Sequence, residues 1–375
     1  MQLKRTTAVI AGISCLTLAL AGCGSKSGGS TASSGAATTG ASTSSGAATT
    51  TSAAAQAASY IACMVTDTGG INDKSFNQSA WAGMQAAQKA GKATVSYLPS
   101  NTASDYTKNI AALEAKKCSM IVTVGFNLAT ATTNAAKTKS TQHFAIVDNV
   151  GNKKNIEGLL FNTAQAGFMA GYLAAGYSKS GKVATYGGLK FASVTVYMDG
   201  FWEGVQYYNK VKSKKVQVLG WSEKTQNGSF AGSFTDQTKG QQLAKNFLQQ
   251  GADVIYPVAG GTGLGTAAAV KASGGKAVVI WVDTDGCVAA PQYCSVFLTT
   301  TFKGIATAVQ KVITDASGGT YTSTDYVGTL SNGGTGLSPY HDFASKVPAA
   351  LKTEVTQIGT DIKSGKIKLT SKSQP

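Results

Sequence analysis

Tyr60-Ile61-Ala62-Cys63-Met64-Val65-Thr66-Asp67-Thr68-Gly69-Gly70-Ile71-Asn72-Asp73-Lys74-Ser75-Phe76-Asn77 decides how the chain is read. An apolar run ends at Val65, a polar loop with two glycines follows, and an amphipathic run from Ser79 to Ala87 comes next. That order predicts strand, loop, helix. In an open parallel sheet a ligand sits beyond the carboxyl end of such a strand. The loop places there a carboxylate (Asp67), an unhindered backbone (Gly69, Gly70) and the polar groups of Asn72, Asp73, Ser75 and Asn77. Phe76 is a lone ring among hydrogen-bonding groups, which suits a flat, polar, heteroaromatic ligand.

The same alternation runs outward from this stretch. Strands are expected at 93–98, 120–124, 143–147 and 156–161, with helices at 105–115 and 130–139 between the first three. A helix rich in alanine and glycine follows at 161–177. It is too interrupted by Asn162, Gln165 and Lys179 to read as a membrane span. A second alternation covers strands 182–186, 216–221, 254–258 and 277–282 with helices 194–208, 237–250 and 265–272. Strands separated by helices indicate parallel sheets covered on both faces. Residues 60–375 exceed the ~250–300 that one core serves, so two lobes are expected.

The N-terminus reads as an export signal. Lys4 and Arg5 precede an apolar run, Thr7 to Leu20, which ends in Leu20-Ala21-Gly22-Cys23. Small residues before a cysteine resemble the bacterial lipobox, which implies cleavage after residue 22 and a lipid on Cys23. Such a lipid holds a protein at the membrane without a transmembrane helix. Residues 23–58 are almost wholly Ser, Thr, Ala and Gly and read as a flexible tether.

Four further cysteines suit an oxidising compartment. Cys287 and Cys294 bracket six residues and are expected to close a short loop. Cys63 and Cys118 each lie at an expected strand and are positioned to bridge neighbouring strands. Zinc is disfavoured: only His143 and His341 are present, and the Cys-x-x-Cys spacing is missing. The net charge of +15 invites a nucleic-acid reading, but the only arginine is Arg5 and the lysines are scattered. They suit a soluble face near an anionic cell surface. A nucleophile turn such as Gly-x-Ser-x-Gly is lacking, so a binding protein fits the inventory better than an enzyme.

The ends of the expected strands supply a consistent set of candidates. They are Asp67, Phe126 after Gly125, Asp148, Gly260 and Gly261 after Ala259, and Asp283 in Asp283-Thr284-Asp285. Two lobes facing each other across these edges would form one cleft, a favoured ligand site. The run Ala259-Gly260-Gly261-Thr262-Gly263-Leu264-Gly265 has neither the Lys-Ser/Thr of a P-loop nor Gly-x-Gly-x-x-Gly. It reads as close backbone approach to a polar ligand edge.

The Val-Thr-Asp…Gly-Gly-Ile-Asn-Asp-Lys-Ser-Phe-Asn-Gln stretch from Val65 to Gln78 resembles the opening signature of the basic membrane protein family. These are lipid-anchored, nucleoside-binding receptors of ABC transporters. Ala259-Gly260-Gly261-Thr262-Gly263, Val282-Asp283-Thr284-Asp285 and Thr301-Phe302-Lys303 resemble further segments of the family. The resemblance implies a type I periplasmic-binding-protein fold with two doubly wound parallel-sheet lobes and a ligand cleft between them. It implies that the chain crosses between lobes three times. On that pattern residues 59–160 and 297–320 form the first lobe, and 161–296 and 321–375 the second. It implies a purine nucleoside as ligand, an ABC permease as partner, no cofactor and a monomeric carrier. Phe76 would stack on the base, with Tyr256, Tyr197 and Phe201 as candidates for the opposite wall. Asp67 and Asn77 would bond the base edge or ribose, Asp283 the ribose hydroxyls, and Lys303 would reach the ligand from the other side. The segment after Phe126 lacks the acidic residue common there in the family, and Gly286-Cys287 stands where Gln is usual. A sugar receptor and a sensory lipoprotein of the same fold are the alternatives.

Overall fold

In the computed structural model residues 59–375 are described; the expected signal, lipidation site Cys23 and tether lie outside them. β1 (Ile61–Val65) explains the first layer of the fold. Ala62 and Met64 face one apolar layer, with Met84, Ile305 and Val309. Cys63 and Val65 face the other, with Ile110, Leu113 and Ala136. A strand buried on both faces reads as continuous apolar sequence, as this one does.

The first lobe holds β1, α1 (Phe76–Lys89), β2 (Thr94–Leu98), α2 (Asp105–Ala115), β3 (Met120–Val124), α3 (Ala129–Thr138), β4 (His143–Val147) and β5 (Ile156–Phe161). The chain then enters the second lobe through α4 (Ala164–Tyr177), β6 (Lys182–Gly187), α5 (Ala192–Lys212) and β7 (Gln217–Leu219). A small hairpin, β8 (Trp221–Ser222) and β9 (Asn227–Gly228), follows. Next come α6 (Gln237–Gln249), β10 (Val254–Val258), α7 (Gly263–Ala272), β11 (Val278–Asp283), α8 (Gly286–Ala289) and β12 (Phe297–Lys303). The last elements are α9 (Ile305–Ser317), β13 (Tyr326–Gly328), β14 (Thr335–Leu337) and α10 (Ala349–Lys363).

The two main sheets have the strand orders β13-β5-β4-β3-β1-β2 and β14-β12-β11-β10-β6-β7. All their pairings are parallel except β12 with β14. Three crossings join the lobes, at 162–163, at Gly304 and at 329–334. The lobe boundaries differ from the expectation in two places. β12 pairs with β11 in the second sheet, so residues 297–303 belong to the second lobe. β13 pairs with β5, so 326–328 belong to the first. β12 reads as polar because of Thr299, Thr300 and Thr301. All three are buried, and their hydroxyls are satisfied by Ser338, Gly286, Tyr256 and Trp281.

The apolar, glycine-rich α4 packs inside the protein. A Cβ at Gly171 would lie 2.0 Å from the Phe201 carbonyl, and one at Gly204 would lie 2.0 Å from the Phe168 carbonyl. α4 and α5 therefore meet backbone against backbone. Among the described residues no helix is long and apolar enough to cross a membrane. Disulfides join Cys63 to Cys118 and Cys287 to Cys294. The first ties β1 to the turn entering its neighbour β3.

Candidate ligand-binding site

The carboxyl ends of both sheets face one cleft, whose empty space, open mouth included, is about 620 Å³. It is lined by Asp67, Phe76, Asn77, Phe126 and Asp148 from the first lobe. Gly260, Gly261, Asp283 and Lys303 line it from the second. Tyr256, expected to line it, does not. It is fully buried behind the wall, its hydroxyl 2.7 Å from Thr301 Oγ1 and its ring 5.0 Å from Phe201. It shares a face with Val258 but lies two residues deeper in β10, so it sits within the packed layer and Val258 reaches the cavity instead. Phe201 is likewise fully buried, whereas Tyr197 lines the cavity.

The loop between β1 and α1 is ordered by Asp73. Its carboxylate accepts from the backbone N–H groups of Ser75, Asn77 and Gln78. These are donors that the first turn of a helix leaves unpaired, and a negative charge there is favoured by the helix dipole. Asn77 Nδ2 donates to Asp67 Oδ1 at 2.7 Å and to Asp73 Oδ2 at 3.2 Å, which fixes the orientation of the amide. Its Oδ1 is then left buried with no protein partner, an acceptor suited to a ligand donor.

Asp148, just after β4, and Asp283, the last residue of β11, lie in the left-handed region, at φ 65° and 68°. Few non-glycine residues adopt it, though Asp does so more readily than most. At Asp283 the backbone closes a three-residue turn, with Thr284 N donating to Val282 O at 2.9 Å. Its side chain accepts from Tyr197 OH at 2.9 Å and, across the cleft, from Ser75 Oγ at 2.6 Å. The indole of Trp281 also crosses, donating to the Lys74 carbonyl at 3.3 Å.

Four carboxylates, Asp67, Asp73, Asp148 and Asp283, and one ammonium, Lys303, thus share a largely buried space. Lys303 Nζ is 2.9 Å from Asp148 Oδ2 and 4.0 Å from Asp283 Oδ1. It also sits 5.1 Å from the Phe76 ring centre and 5.3 Å from that of Tyr197. Burial pushes the Asp67 carboxyl up to about 6, against the opposing hydrogen bond from Asn77, and nearby Asp73 adds to the rise. Burial also raises Asp73, and raises Asp148 although Lys303 opposes it.

A chain of rings completes the wall: Phe126 lies 5.0 Å from Phe191, which lies 6.4 Å from Phe234. Phe191, Ser193 and Phe234 line the cavity and were not among the expected residues. Phe191 follows the end of β6, so extending the strand-end rule to that strand points to it. Phe234 sits in an irregular loop before α6 and carries no sequence signal.

With this geometry in view, relatives of the chain become informative. Residues 60–372 match the Bmp family model, described as ABC transporter substrate-binding protein, PnrA-like. The chain belongs to the Bmp family. A Lactococcus lactis relative called ABC transporter nucleoside-binding protein BmpA is 32% identical, covering 83% of this chain and 89% of its own. The CD4+ T-cell-stimulating antigen of Listeria monocytogenes is 33% identical over 81% of this chain and 87% of its own. A solved ABC-transporter solute-binding protein from Aeropyrum pernix superposes with a TM-score of 0.74 at 24% identity, covering 83% of this chain and 93% of that one. Its likeness establishes the type I periplasmic-binding-protein fold. This Bmp-family chain is thus an ABC-transporter substrate-binding protein, which binds a solute rather than transforming it.

Proposed function

We propose that the protein captures a purine nucleoside between its lobes and delivers it to an ABC permease from the outer face of the membrane, held there by a lipid on Cys23. One observation carries the ligand class: hydrogen-bonding carboxylates and a buried lysine share a cavity with phenylalanines at two of its walls. The rings suit a base and the charged groups suit ribose hydroxyls. In this reading Phe76 stacks on the base. Asp67 and Asn77 bond its edge, while Asp148, Asp283 and Lys303 take the sugar. The relative named as nucleoside-binding supports it. The two disulfides agree with an oxidising compartment.

A thermal-shift screen of the full-length chain with purine and pyrimidine nucleosides, free bases and simple sugars tests the ligand. At 100 times its dissociation constant a selective ligand stabilises by about 2.7 kcal/mol. A shift with inosine, guanosine or adenosine supports the proposal. A shift with a sugar alone overturns the ligand and leaves the family standing. Radiolabelled palmitate incorporation, abolished by Cys23→Ala, tests the anchor.

A further inference from the structure

The loop after Asp283, which carries Asp285, Cys287 and Cys294, meets one side chain that the sequence keeps far from it, His341. Asp285 Oδ2 lies 2.7 Å from His341 Nε2, although 56 residues separate them. Donor atoms of Asp285, Cys287 and His341 all lie within 4.8 Å of one another. Cys294 Sγ is bonded to Cys287 Sγ at 2.00 Å, so it belongs to the same cluster. Asp285 also orients the site, since its Oδ1 accepts from Cys287 N at 3.0 Å. His341 is held at φ 40°, a strained value for a non-glycine residue, at the start of a short 3-10 turn. The imidazole and carboxylate are partly open to solvent, at 31% and 24% exposure, which leaves an entry path.

Two sulfurs, one imidazole and one carboxylate make a donor set that suits tetrahedral zinc. Bonds of about 2.0–2.3 Å hold tetrahedral donors roughly 3.3–3.8 Å apart, so once the S–S bond is cut the two sulfurs move apart and the Asp285–His341 pair opens to admit the ion. In the disulfide neither sulfur is a thiolate, and thiolate is the form that binds metal.

We propose that this corner is a redox-gated zinc site, in which the Cys287–Cys294 disulfide and a zinc ion are alternative staples. A dithiol reductant supplies two electrons and two protons; the S–S bond breaks and the reductant becomes a disulfide. Zinc then displaces both thiol protons and binds Cys287, Cys294, His341 and Asp285. The metal form ties the loop at 285–294 to the turn at 341, as the disulfide ties the loop to itself. The site lies two residues beyond the strand-end Asp283, so either staple steadies the segment that presents that carboxylate to the cleft. In the reverse direction a disulfide oxidant takes up the two electrons and becomes a dithiol, the Cys287–Cys294 bond re-forms, and the ion is released.

Cobalt(II) reports the site. The full-length chain, oxidised or reduced with a phosphine that is then removed, is titrated anaerobically with cobalt chloride. The expected result is one cobalt per reduced chain, with thiolate-to-cobalt charge-transfer absorption and the visible bands of a tetrahedral ion, displaced by zinc chloride. His341→Ala and Asp285→Asn should each weaken uptake by more than the ~10–100-fold that outer-shell losses cost. Both variants leave the oxidised fold intact by circular dichroism. The buried Cys63 and Cys118 thiols do not explain a signal that His341→Ala removes. Failure of the reduced chain to take up cobalt overturns the proposal. So does uptake unaffected by His341→Ala, and so does equal uptake by the oxidised chain.

Discussion

Lys303 ends a strand of one sheet and Asp148 follows a strand of the other, 155 residues away, yet the ammonium lies 2.9 and 3.1 Å from the two carboxylate oxygens. Both side chains are more than nine-tenths buried. Such a pair joins the lobes at the floor of the cavity, and its worth depends on both members being present.

Lys303→Met leaves Asp148 buried without its cation. Breaking a buried pair this way costs about 3–5 kcal/mol. Asp148 is already held above the usual carboxylate range by burial, and without Lys303 it takes a proton at still higher pH. The deficit against the parent protein is therefore largest at neutral pH and shrinks towards pH 5. Urea unfolding of the ligand-free protein at both pH values checks this. Asp148→Asn with Lys303→Met should recover part of the loss.

Asp67 gives a second pH signature. Its carboxyl is pushed up to about 6 in the folded protein and titrates near ~3.9 in the unfolded chain. Between those values the folded state keeps a proton that the unfolded state has lost. The resulting stabilisation is complete below about pH 4 and fades as pH rises through 6, by roughly 3 kcal/mol at most. Asp67→Asn should flatten the dependence of the urea midpoint over that window. An unchanged slope would show that Asp67 ionises freely.

Phe76 and Tyr256 separate binding from packing. Phe76→Ala should weaken nucleoside binding about 10–100-fold, the ~1–3 kcal/mol of one base–aromatic stack. Tyr256→Phe loses only the bond to Thr301 and should cost about 1 kcal/mol of stability at unchanged affinity. Calorimetric titration and denaturant unfolding read the two effects. Equal loss of affinity in both variants would put Tyr256 in the wall after all.

The two disulfides should differ in worth. Cys63–Cys118 closes a loop of 55 residues' separation, and Cys287–Cys294 one of 7. Loop-closure entropy assigns roughly 4 kcal/mol to the first and roughly 2.5 to the second. The first also lies in the core, where Cys63 is fully buried, so Cys63→Ala with Cys118→Ala adds a packing loss. The melting temperature of that variant should fall further than that of Cys287→Ala with Cys294→Ala.

Much of this architecture is written locally. Buried strands such as Met120–Val124 and His143–Val147 are apolar at four of their five positions, and helices such as Asp105–Ala115 carry their apolar residues on one side, so pattern alone finds them. Position at a strand end then singles out Asp67, Phe126, Asp148 and Asp283, because in a parallel sheet every such end lies on the same edge. Tertiary structure decided the rest. β12 is built from threonines whose hydroxyls find partners on Ser338, Tyr256 and Trp281, and a local reading takes them for exposed polar residues. The short strand β13 gained its lobe only by pairing with β5. Phe234 and the meeting of Asp285 with His341 depend on loops whose paths are set by distant packing. Periodicity is a property of neighbours along the chain. A hydrogen bond across 155 residues, like that of Lys303 to Asp148, is set only when both sheets and all three crossings are in place.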